Sequence, residues 1–124
     1  MQLNHERPDY AYSLRAADGR SATVNDQVLH HSFILTPSIL QPDWPVTAAE
    51  GLDAAALQPL LALEPEIVLL GTGTRQIFPP AEAMAACLTR GVGIEVMTND
   101  AAARTFHILA GEGRRVVAGF ILGG

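Results

Sequence analysis

The sequence predicts an α/β fold: one three-layer domain spanning 1–124, with a mixed, mostly parallel central sheet flanked by helices and a β-hairpin region at the N-terminal end. Three observations carry that expectation. The runs "EIVLLG" and "GIEVM" are continuous and apolar, as strands covered on both faces are. Segments with helical spacing separate those runs from each other and from a last apolar stretch, giving the strand–helix–strand alternation of crossover connections. Finally, 124 residues with 48% hydrophobic and only 17% charged residues suffice for a single core without disulfides.

Taken in order, Tyr10 to Ala16 alternates loosely, "ADGR" supplies an Asp-Gly turn, and Ser21 to Asn25 gives a second short strand, which together predict a hairpin. "SFILT" is a β-rich run that Pro37 ends, and the two prolines of "QPDWPV" make that stretch irregular. Asp53 is placed to cap a helix running to about Ala62, with Leu57, Leu60 and Leu61 on its inner face. The strand from Glu66 follows. Pro79 and Pro80 pre-set a helix start, Glu82 favours its first turn, Met84, Cys87 and Leu88 form its expected buried stripe, and Gly91 ends it. "GIEVM" reads as a second covered strand. Thr98 or Asn99 then caps a third helix whose Ala102, Phe106, Leu109 and Ala110 face the sheet, and Arg115 to Leu122 forms the last strand.

Composition narrows the function. A net charge of −5 with eight arginines and no lysine argues against nucleic acid as a general partner and excludes a side-chain Schiff base. The one cysteine, Cys87, falls in an apolar helix pattern and reads as a buried, inert thiol; neither a disulfide nor a cysteine-rich metal site is expected. "MQLNHERPDY" resembles neither a signal nor a transit peptide, and the apolar runs are too short to span a membrane, so a soluble, cytoplasmic protein is expected.

Few residue patterns suggest chemistry. "GTGTRQ" lies at the carboxyl end of a strand, where glycines let a phosphate or carboxylate approach the backbone; Thr72, Gly73 and Arg75 are the candidates there, against the alternative of a structural turn. The loop lacks the third glycine of a dinucleotide fingerprint and the Gly-Lys-Ser/Thr ending of a phosphate loop. His30 and His31 are adjacent on an extended segment and point to opposite faces, so no metal site and no cofactor is expected. No nucleophile elbow surrounds Ser32 or Ser38. Trp44 reads as packing under the proline-rich loop. Arg104 and His107, three apart, share a helix face and form either a polar binding pair or a solvated surface. In "GEGRR", Gly111 and Gly113 suit a helix exit, and Arg114 and Arg115 suit the last helix carbonyls, one of them alternatively facing a ligand.

"EIVLLGTG" with the following Pro79–Pro80, then "GIEVM" and "AAARTFHILAGEGRRVVAGFI", resembles the small-domain family called domain of unknown function 498, from about Tyr10 to Leu122. Its eukaryotic branch includes a mitochondrial respiratory complex I assembly factor. The resemblance implies a compact three-layer α/β domain and no established catalytic residues. His107 stands where the family commonly has Asn, and Thr98-Asn99-Asp100 replaces its usual cap. Two functions follow as expectations: a non-enzymatic protein-binding or assembly-factor-like role with a protein partner, and, as the alternative, binding of a small anionic ligand at the carboxyl ends of the parallel strands. Thr72, Gly73, Arg75, Asn99, Arg104, His107 and Arg114 are the candidate binding residues.

Overall fold

A computed structural model describes residue 12 and residues 14–123, the side chains of 15 and 16 excepted. A small antiparallel sheet comes first, formed by β1 (Leu14–Ala17), β2 (Ala22–Val24) and β3 (Gln27–Leu29). The expected hairpin thus carries a third strand; the part of its first strand assigned to Tyr10, Ala11 and Ser13 lies outside the described residues. The Asp18 carboxylate accepts the backbone N–H groups of Arg20 and Ser21, closing the turn between β1 and β2 by the local bonding that favours Asp in turns.

The main sheet contains β4 (Phe33–Leu35), β5 (Leu40–Gln41), β6 (Ile67–Gly71), β7 (Gly93–Met97) and β8 (Val116–Phe120), in the order β5-β4-β8-β6-β7. β8–β6 and β6–β7 are parallel, whereas β4 is antiparallel to both β5 and β8. The sheet is therefore evenly mixed rather than mostly parallel. "SFILT" joins it beside the last strand, with Phe33 opposite Phe120 and their rings stacked at 5.0 Å.

Helices α1 (Ala54–Leu61) and α2 (Ala81–Leu88) cover one face, where Leu57, Leu60, Ala83 and Cys87 meet Val68, Leu70, Val117 and Ile121. On the other face α3 (Asn99–Gly111) and the small sheet bury Ala102, Phe106 and Ala110 against Leu69, Val116, Ala118 and Phe120. The alternation of β6 and β8 residues between these clusters explains why both strands are apolar throughout: each has helix or sheet above and below.

Two expectations on this half change. β7 is an edge strand, and of its residues only Val96 is buried; its apolar sequence resembles that of β6, but it has a neighbour on one side only. The α2 stripe runs through Ala83 and Cys87, with Met84 half-buried, while Leu88 is 58% exposed because it points away from the sheet. Asp53 caps α1 as expected, accepting the Ala56 N–H, and Thr98 rather than Asn99 caps α3, accepting the Ala101 N–H. Trp44 is buried and its indole N–H donates to the Ala56 carbonyl at 2.9 Å, fixing the irregular segment before α1.

Candidate functional site

β6 and β8 end side by side, and the chain leaving each one turns into loops that also meet the β1–β2 turn and the segment before α1. Between these loops lies an open cleft of about 340 Å³. Thr72, Gly73, Thr74 and Arg75 line one wall, Ile121 and Gly123 another, Gly19 and Arg20 a third, and Thr47 to Glu50 the fourth. The crevice beyond the carboxyl ends of parallel strands is where ligands bind in sheets of this kind.

The loop after β6 is built by its own side chains. The Thr72 hydroxyl donates to the Arg75 carbonyl and accepts the Ile77 N–H at 3.1 Å, so it holds the turn rather than facing a ligand. Gly73 has φ +96°, a conformation glycine adopts without strain. Gln76 donates to the Val96 carbonyl at 2.8 Å and ties the loop to β7.

Asn99 joins this loop to its surroundings. It is fully buried; its backbone N–H donates to the Gly73 carbonyl at 2.8 Å, and its side-chain amide donates to Asp18 O at 2.6 Å and Ile121 O at 3.0 Å. One side chain thus pins the β1–β2 turn and the end of β8 to the start of α3. Its Oδ1 has no hydrogen-bond partner among the described residues and occupies the space that a side chain at Gly71 would need.

The seven candidate residues do not form one cluster. Thr72, Gly73 and Arg75 share the cleft, and Asn99 supports it from behind. Arg104 and His107 lie on a shallow, mostly apolar groove between α3 and β1, with Leu14, Ala17, Ala103 and Ile108. Arg104 is exposed and pairs with Asp100 one helical turn earlier. Arg114 lies at the start of β8, remote along that strand from the cleft, with its Nε 3.5 Å from Glu66. Arg114 and Arg115 were expected on the α3 carbonyls; instead the Arg115 guanidinium donates to Glu64 O at 3.0 Å and its N–H to Glu66 at 2.8 Å, clipping the approach to β6 onto β8. That N–H, with the two arginine charges, holds the Glu66 carboxyl below the usual range although desolvation opposes the shift. Arg20, Thr47, Glu50 and Thr74 line the cleft without having been candidates, Arg20 because an Asp-Gly turn explains its segment without function.

Among the described residues no three His, Cys, Asp or Glu side chains form a group able to hold a metal. Ser32 is buried with its hydroxyl donating to Val46 O and accepting from Leu122 N, not paired with a histidine. Burial pushes the Cys87 thiol up, away from the reactive thiolate. Among the described residues no helix is long and apolar enough to cross a membrane.

Fold and site together define a small three-layer α/β domain with an open cleft beyond its parallel strands. The chain belongs to the family described as "Protein of unknown function (DUF498/DUF598)", whose model matches residues 14–121. It is 31% identical over 88 residues to the "13 kDa major membrane protein" of Francisella tularensis subsp. holarctica, a match covering 70% of this chain and 72% of that protein. It is 32% identical over 114 residues to NADH dehydrogenase (ubiquinone) 1 alpha subcomplex assembly factor 3 of Danio rerio; 90% of this chain is covered but only 62% of the assembly factor, so the chain spans less than two thirds of that relative. An NMR structure of a Xanthomonas campestris protein is similar at 57% identity with a TM-score of 0.85, over 100% of this chain and 94% of that one.

Proposed function

We propose that this protein acts without catalysis, by binding another protein during assembly of a larger complex. The observation that carries this reading is the relation to an assembly factor along 90% of the chain. Two structural features support it. The polar groups best placed for chemistry, Thr72, Thr98 and Asn99, are engaged in holding loops together. The α3–β1 groove presents Ile108, 58% exposed, beside Arg104 and His107, an apolar centre with a polar border of the sort that protein interfaces use.

The test is cross-linking in cells of the source organism with a photoreactive residue at Ile108 or, as a control on the opposite helical layer, at Gln58. The reading expects one reproducible protein cross-linked from position 108 and lost on Arg104→Glu. Equal, diffuse cross-linking from both positions contradicts it.

A further inference from the structure

The cleft beyond β6 and β8 has no part in that reading, and its lining is specific enough to suggest an occupant. Two arginines, Arg20 from the β1–β2 turn and Arg75 from the loop after β6, line it from different walls. Neither makes an ion pair with a described residue, whereas Asp100 and Glu66 are paired and Asp53 caps α1 elsewhere in the fold. Glu50 is the one acid in the lining, so the cleft holds two cations against one anion in a chain whose net charge is −5. Asp18, next to Arg20, is held as a carboxylate by the Arg20 and Ser21 N–H groups and by the Arg20 charge, so it offsets part of that charge, while no described acid pairs with Arg75.

Neutral donors are available as well. The backbone N–H groups of Gly73 and Thr74 donate to no described residue, and Gly73 has the positive φ found in backbone concavities that hold anions. The Thr47 and Thr74 hydroxyls in the lining are likewise uncommitted to described partners.

The walls are also fixed before any ligand arrives. Gly123 N–H donates to Gly19 O at 3.2 Å, Asn99 holds Asp18, Gly73 and Ile121, and a side chain at Gly19 would meet Thr74 Cγ2 at 2.9 Å. Such bracing lowers the ordering cost of binding. A volume of about 340 Å³ is at the small end of ligand pockets.

We propose that this cleft is a binding site for a compact oxyanion, a small phosphate or carboxylate compound, held by Arg20 and Arg75 with Gly73 and Thr74 as backbone donors. Arginine suits this role because its planar fork matches both groups. Glu50, across the same cleft, selects against bulky polyanions by charge and leaves a place for a hydrogen-bond donor on the ligand.

The experiment is a ¹⁵N-resolved NMR titration of the full chain with sodium phosphate and, separately, sodium succinate, each against sodium chloride at matched ionic strength. Saturable shifts in one or both arms, centred on Gly19, Arg20 and Gly73 to Arg75, are expected, and the arm that saturates identifies the anion class. Binding should weaken about tenfold or more in Arg20→Gln with Arg75→Gln and stay unchanged in Arg104→Gln. Both arginines are exposed, so the double variant should keep its dispersed spectrum outside the cleft. No saturable shift in either arm up to about 20 mM, or shifts that survive the double variant, overturns the proposal.

Discussion

Replacing Asn99 by alanine tests whether one buried amide organises the carboxyl end of the sheet. The substitution deletes the donors to Asp18 O and Ile121 O, the second of them a buried bond. Leaving two carbonyls without a partner costs about 1–3 kcal/mol each when they stay dry, and the first is part-buried and regains some water. Removing the unpartnered Oδ1 returns about 1 kcal/mol, since an unsatisfied buried carbonyl is itself a penalty. The balance is a loss of about 2–4 kcal/mol. For a chain of this size the unfolding entropy is roughly 0.26 kcal/mol/K, so the melting temperature falls by about 10 °C. Urea denaturation with calorimetry measures both. Asn99→Asp sharpens the test: at neutral pH it sets a carboxylate against two carbonyl oxygens and should be less stable than the alanine variant. Its folded-state pKa is then raised, so the penalty is present above that value and relieved as pH falls and the acid becomes a donor. A loss below about 0.5 kcal/mol for Asn99→Ala, or an aspartate variant as stable as the parent at pH 7, refutes the reasoning.

Other outcomes follow from the same structure. Glu66 has a depressed folded pKa, so its contribution is present above the ordinary glutamate value of about 4.3 and lost as pH falls through the lower folded value; Glu66→Gln should show a shallower loss of melting temperature below about pH 4.5, and parallel curves would contradict this. Cys87, buried with a raised pKa, should react with a disulfide reagent at pH 8 at least about a hundredfold more slowly in the native chain than after denaturation; equal rates would mean the α1–α2 layer is not packed as described. Arg104→Ala removes only an exposed ion pair and should shift the melting temperature by less than about 2 °C, a larger fall placing Arg104 in the fold rather than on a surface.

Much of the layered architecture was legible in the residues because β6 and β8 alternate between two hydrophobic clusters, and that demand makes them apolar at every position. β7 carries a similar apolar pattern yet lies at an edge: strand composition reports propensity, while the number of neighbours is set by topology. The antiparallel half escaped for a related reason. β4 pairs with a strand more than 80 residues away, and no local spacing announces so distant a partner. The candidate residues divide along the same line. The loop at Thr72 to Arg75 was visible through its glycines, whereas Asn99 looked like a second cap because its buried partners, Asp18 and Ile121, come from opposite ends of the chain.

The proposed assembly role is tested most directly in a deletion strain of the source organism. Native gel electrophoresis with immunoblotting follows how much of the complex containing the partner cross-linked from position 108 is assembled. A reduced level of the intact complex is expected, restored by the parent gene and not by Ile108→Asp. An unchanged level in the deletion strain would contradict it.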